Sequence, residues 1–156
     1  MRQRWRNQSL LDFNSPNYNF MHPAVSADGQ TLVFVTDKPG GEGGTDLWIS
    51  RRKRDGSWGR SENLGHRVNT SAHEAYPYLH PDGTLYFCSK GHVGFGGFDL
   101  FMSKRDADGN WMTPINLGRP LNSPHDDISL YLNAAGNGGW FASSRSGGDD
   151  DLFFFE

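Results

Sequence analysis

The chain has a single cysteine, so no internal disulfide can form. Cys88 sits in the apolar run Leu85-Tyr86-Phe87-Cys88 and reads as a small buried hydrophobe, not as a nucleophile. No apolar stretch approaches the ~18 residues that a membrane-spanning helix needs. The opening, MRQRWRNQSLLDF, has charge but no apolar h-region, so it is not a signal peptide; an exported parent would carry its signal outside this sequence. Positive charge is also scarce. Fifteen Lys and Arg against 18 Asp and Glu leave a net charge of −3, and no basic stripe is present, which argues against nucleic acid as a partner. The one basic run, Arg51-Arg52-Lys53-Arg54, precedes an Asp55-Gly56 turn and reads as a solvated hairpin end. There is no GxSxG elbow, P-loop or HExxH. Gly94-Phe95-Gly96-Gly97 lies between two strand-like segments instead of opening a helix, so it is not a dinucleotide fingerprint. No cofactor is expected.

Glycine and aromatic residues are plentiful: 20 Gly, 8 Pro and 13% aromatics in 156 residues suit many short strands joined by tight turns, in one ordinary domain. The sequence also repeats itself. Trp58, Asn63-Leu64-Gly65 and Asn69 return 53 residues later as Trp111, Asn116-Leu117-Gly118 and Asn122. A period near 50 with strand-like content predicts an all-β propeller of four-stranded antiparallel blades, about three of them in this chain. In the second repeat the strands read as 75–79, 84–89, 99–104 and 111–116, with turns at Pro81-Asp82-Gly83 and Asp108-Gly109.

The spacing predicts blades over 14–68, 69–121 and 122–156, the third without its outer strand. Residues 1–13 supply a degenerate outer strand, Trp5–Leu11, of a preceding or closing blade. Three blades are too few for a ring, since rings use about four to eight. Either two copies make a six-bladed homodimer or the chain belongs to a longer protein. The bare strand Leu152-Phe153-Phe154-Phe155 favours the longer protein, because an uncovered apolar edge invites aggregation.

Residues that recur once per blade are expected to be scaffold. Trp58 and Trp111 offer large apolar bodies for packing between blades. Asn69-Thr70 and Asn122-Ser123, like Asn14-Ser15, open the crossings from one blade to the next, where short polar side chains bond nearby backbone. Asp46, Asp99 and Asp151 follow Gly-rich loops, and their carboxylates can accept the loops' unpaired amides. Glu74 and Asp127 occupy matching positions, with Asn19 in that place in blade one. The Gly-rich loop 40–46 has the wrong aspartate spacing for a calcium β-roll; Asp126, Asp127, Asp149 and Asp150 are the candidates for a hard cation.

In a four-stranded meander the blade crossings and the second-to-third-strand loops share one face. Loops 37–46, 90–99 and 145–151 therefore join crossings 65–74 and 118–127 there, opposite the Asp-Gly turns. This face carries the longer, more varied loops and is the candidate interaction face. Its non-recurring residues include Lys90, His92, Phe95, His66, His73, His125 and Arg145. The histidines make no HxH or HxxxH pair, so solvent-facing histidine is preferred to metal ligation. His22 and His80 precede turns and read as structural. Glu42, Glu74 and Asp127 are the acids a glycosidase reading would nominate.

HPDGTLYF, the GGxD-Leu-aromatic segment, the Trp strand and Asn-Leu-Gly before Asn-Ser/Thr resemble the WD-like repeats of TolB-type propellers. More closely, they resemble the propeller module of OmpA-family envelope proteins from Bacteroidetes-type bacteria, over about residues 14–156. The resemblance implies a non-catalytic platform for a protein partner in the periplasm or at the outer membrane, within a larger protein. Peptidoglycan would be bound only through neighbouring domains not present in this sequence. The rivals are a glycan-binding propeller, for which Phe95 and Phe98 are the candidate aromatics, and the propeller of a glycosidase or peptidase.

Overall fold

The computed structural model describes residues 8–156, and no helix occurs among them. Strands β1 (Phe20–Val25), β2 (Thr31–Thr36), β3 (Asp46–Arg51) and β4 (Glu62–Asn63) form one antiparallel sheet in that order. Strands β5 (Glu74–Leu79), β6 (Leu85–Ser89), β7 (Asp99–Ser103) and β8 (Ile115–Asn116) repeat it. A third sheet holds β9 (Asp127–Leu132), β10 (Gly139–Ser143) and β11 (Asp151–Phe155). This is the all-β partial propeller that the 53-residue period predicts. Residues 5–7 of the expected strand Trp5–Leu11 lie outside the described residues, and residues 8–11 are not in a strand.

The period-2 alternation of each strand makes the stack. In β6, Leu85 and Phe87 face blade one, where they join Val33, Ile49 and Val68 together with Leu79, Phe101 and Trp111. The alternate residue Cys88 faces blade three with Leu100, against Ile128, Leu130, Leu132 and Phe141. The middle blade thus buries both faces. Phe87 and Leu85 are almost wholly enclosed, each contributing about 1.5–3 kcal/mol of burial free energy. Trp111 packs between blades as expected, while Trp58 packs against the other side of blade one with Leu32, Phe34 and Trp48.

The outer strands are shorter than 111–116 implies. Each is two residues, Glu62–Asn63 or Ile115–Asn116, preceded by a single bridge, Arg52 to Trp58 or Arg105 to Trp111. Between bridge and strand a hydroxyl replaces the ladder: Ser50 Oγ donates to Gly59 O (2.8 Å) and Ser103 Oγ to Met112 O (2.7 Å). Pro114, with no N–H, cannot extend the ladder there.

Each inner strand carries a bulge whose residue is left-handed without being glycine: His22 (φ +48°), Tyr76 (+49°) and Ser129 (+56°). His22 therefore belongs to a bulge and not to a turn. The three inner strands β1, β5 and β9 lie side by side, with the His22 ring stacked on Tyr76 at 4.1 Å between centroids.

Candidate docking face

Loops 37–45, 90–98 and 144–150 and crossings 64–73 and 117–126 lie at one end of the sheets, opposite the Asp-Gly turns. Glycine is required here by close approach. A Cβ on Gly43 would strike the backbone of Thr70 and Ser71, and one on Gly96 the backbone of Pro124. Gly41 and Gly94 leave room for the carboxylates of Asp46 and Asp99. The Gly-rich loops thus serve to press loop against crossing.

The recurring polar residues hold that arrangement together. Asp46 Oδ2 accepts from the Glu42 amide (2.8 Å), and Asp99 Oδ2 from the amides of Phe95 (2.8 Å) and Gly96 (3.2 Å). Both are buried, and burial pushes both carboxyls above the usual carboxylate range against the lowering effect of those amides. Asp151 departs from the pattern and is exposed. Its loop is seven residues, 144–150, where the other two are nine, and no crossing covers it among the described residues.

Glu74 and Asp127 are fully buried and engaged, not free acids. Glu74 accepts from Thr70 N, Thr70 Oγ1 and Ser89 Oγ at 2.6–2.8 Å. Asp127 accepts from Ser123 N, Ser143 Oγ and Arg145. In blade one the strand register places Phe20, not Asn19, at this position: Phe20 faces Thr36 as Glu74 faces Ser89 and Asp127 faces Ser143. Asn19 sits one residue earlier and bonds Asp37 (2.8 and 2.6 Å). The crossing from Asn14 to Phe20 is one residue longer than those from Asn69 to Glu74 and from Asn122 to Asp127, which shifts the count by one.

Several residues expected on the face are instead ties between blades. His92 Nε2 bonds Val68 O at 2.8 Å and packs beside Phe87 and Phe101. His73 Nδ1 accepts from the Thr45 amide (3.2 Å). Arg145 donates to the carbonyls of Pro120 (2.7 Å) and Leu121 and to Asp127. Phe98 is partly buried in the core between blades two and three. His66 lines a separate groove of about 460 Å³ between the outer edges of blades one and two, with Arg51, Arg67, Arg105 and Trp111. Sequence reasoning missed this groove, because its residues are scattered over 60 positions.

What remains at the surface is compact. Phe95 is exposed with the Arg119 guanidinium 5.6 Å from its ring centroid. Lys90 lies 4.4 Å over the Phe98 ring and 3.6 Å from Asp126 Oδ1. Asp126 in turn accepts the Phe98 amide at 2.7 Å, and His125 beside it is exposed. The patch is an aromatic side chain rimmed by both signs of charge. Arg119 and Asp126 belong to it although the sequence did not mark them for docking; Arg119 stands where His66 stands one repeat earlier.

The candidate cation ligands are not gathered. Asp127 is held by Arg145 and two serines, Asp126 faces Lys90, and Asp149 and Asp150 are exposed on another loop. Among the described residues no three His, Cys, Asp or Glu side chains form a group that could hold a metal ion.

No protein-family model and no curated protein matches the chain. Solved structures do match its fold. A TolB from Acinetobacter baumannii aligns with a TM-score of 0.60 and 13% identity, over 87% of this chain and 29% of that one. A puromycin hydrolase aligns with a TM-score of 0.56 and 19% identity, over 80% of this chain and 18% of that one. The chain therefore spans less than a third of the length of either, and the fold it shares with them is that of a TolB-like β-propeller.

Proposed function

We propose that the chain is a non-catalytic propeller module that docks a protein partner through the patch around Phe95, within a larger envelope protein of the OmpA-like or TolB-like kind. One observation carries the reading. Glu74, Asp127, Asp46, Asp99, His73 and His92 on the loop face are engaged in holding loops and blades together, so that of the three acids a glycosidase reading nominates only Glu42 is exposed. The solvent-facing residues Phe95, Lys90, Arg119, Asp126 and His125 form a shallow surface of the kind protein interfaces use. The envelope setting, periplasmic or at the outer membrane, is supported by the repeat motifs and by the likeness to a TolB structure.

The likeness to puromycin hydrolase supports a second reading, the propeller of a peptidase whose catalytic part lies elsewhere. Both readings are separable. Capture from a bacterial envelope extract is expected to fall at least about tenfold with Phe95→Ala plus Lys90→Glu, as for loss of a hot spot, and to be unchanged by Asp55→Lys on the turn face. Equal capture by both variants sinks the docking patch. Binding of an isolated polysaccharide, or amidase activity on adding a hydrolase domain, would move the assignment to a rival.

A further inference from the structure

Each blade leaves its second strand for the loop face through the same step, in which a hydroxyl accepts the amide two residues on. Lys38 N donates to Thr36 Oγ1 (3.3 Å), Gly91 N to Ser89 Oγ (3.0 Å) and Arg145 N to Ser143 Oγ (3.2 Å). Lys38, Gly91 and Arg145 are therefore counterparts. Strand pairing sets one inner-strand residue opposite each hydroxyl: Phe20, Glu74 and Asp127. In blade three cation and acid are both present, and Arg145 pairs with Asp127. In blade two the acid stands without the cation, and hydroxyls hold it. Blade one has the cation without the acid.

Lys38 keeps the rest of the Arg145 setting. Its Nζ lies 3.7 Å over the ring of Trp48, as the Arg145 guanidinium lies 5.0 Å from the ring of Phe153, and each aromatic is the third residue of its third strand. Nζ also donates to Ser61 Oγ. The charge beside it is a second cation, Arg60. Burial, and after it the Arg60 charge, hold the Lys38 amine below the ordinary lysine range. No carboxylate pairs with either cation among the described residues, and residues 1–7 contain no Asp or Glu.

Both cations line a cleft of about 450 Å³ whose apolar wall includes Phe13, Tyr18 and Phe20. That volume is in the range of small-molecule sites. The constellation is peculiar to blade one: 53 residues on, Gly91 and Thr113 stand where Lys38 and Arg60 stand. A Cβ on Gly91 would strike the Thr70 side chain, so in blade two the crossing closes onto the loop. In blade one Lys38 and the longer crossing leave that space open.

We infer that this cleft binds a small carboxylic acid with an aromatic or branched apolar body, whose carboxylate takes at Lys38 and Arg60 the place that Asp127 holds at Arg145. Charge-assisted bonds from two cations hold the carboxylate, and the apolar body lies against Phe13 and Phe20. The cleft shares no residue with the Phe95 patch, so the inference stands or falls apart from the docking reading.

Titration of the isotope-labelled protein with benzoate tests it, read by NMR at the indole N–H of Trp48, which its loss in Trp48→Phe identifies. The expected result is a saturable shift. Benzyl alcohol, with the same ring and no charge, should give none. Lys38→Met and Arg60→Gln should each weaken benzoate binding at least about tenfold, as for loss of a hydrogen bond to a charged group, and Lys38→Arg should retain it. Arg60 is exposed, so the fold of its variant should survive, checked by an unchanged circular-dichroism melt. The absence of a saturable shift with benzoate, an equal response to benzyl alcohol, or undiminished binding in both Lys38→Met and Arg60→Gln would each overturn the inference.

Discussion

Asn69 treats Leu47 as a neighbouring strand would. Its Oδ1 accepts the Leu47 amide at 2.8 Å and its Nδ2 donates to the Leu47 carbonyl at 3.0 Å, 22 residues away and fully buried. Nδ2 also donates to Asn63 Oδ1 (2.9 Å), which accepts the Gly65 amide (2.7 Å). Asn122, Leu100, Asn116 and Gly118 reproduce every bond. This explains why Asn-Leu-Gly and the following Asn recur as a set.

Asn69→Ala should therefore cost about 1–3 kcal/mol, because it leaves the buried Leu47 amide unpaired, while the Leu47 carbonyl keeps the Leu64 amide at 3.1 Å. Asn122→Ala should cost a similar amount. Asn69→Asp should be no milder than alanine at neutral pH, since a carboxylate oxygen would face the Leu47 carbonyl and Asn63 Oδ1. Urea midpoints of the three variants check this; a midpoint within error of wild type would contradict it.

Arg145 is the only cation against the buried carboxylate of Asp127 among the described residues. Arg145→Ala should destabilise by about 3–5 kcal/mol by stranding that charge. Asp127→Asn in the Arg145→Ala background should recover part of the loss. A double-mutant cycle on thermal melts should give coupling well above the ~0.5 kcal/mol of independent sites.

Cys88 is wholly enclosed between blades two and three, and burial pushes its thiol far above the ordinary range. Native protein should not react with a thiol-specific disulfide reagent over minutes. Protein unfolded in guanidinium chloride should titrate one thiol per chain. Prompt reaction of the native form would mean that the two blades separate readily.

Asp82 ends its turn with the Thr84 amide donating at 2.8 Å and His80 beside it, and these hold its carboxyl down to about 2 from an ordinary 3.8. A folded-state value below the unfolded one favours folding above the unfolded value, and the gain is lost as pH falls through about 2. Asp82→Asn should thus melt lower than wild type near neutrality, with the gap closing as pH drops from about 4 toward 2. Asp46 and Asp99, shifted the opposite way by burial, gain in relative stability on acidification and soften the same limb. Melting temperatures across that range decide it, and a constant gap would assign the Asp82 effect to something other than its charge.

The fold was legible because the signals that encode it are local. Alternating apolar residues, Pro-Asp-Gly and Asp-Gly turns, and a Trp and an Asn returning every 53 residues fix strand, turn and blade without reference to anything distant. Phe20 shows where counting fails: the crossing after Asn14 is one residue longer than the other two, and strand pairing, not spacing, decides that Phe20 and not Asn19 matches Glu74. The loop face was legible in outline and misread in detail, because hydrogen bonds between distant segments are invisible to local signals. His92 and Arg145 look free in the sequence, yet each ends on a carbonyl about 25 residues away, at Val68 and at Pro120. The sequence by itself determined a repeated four-stranded blade, because hydrophobic period and turn chemistry act within a few residues. Only the tertiary structure decided which polar side chains bind the blades to one another and which, around Phe95, Lys90 and Arg119, are left exposed. Hydrogen bonds of this kind form only once stacking brings distant backbone within about 3 Å.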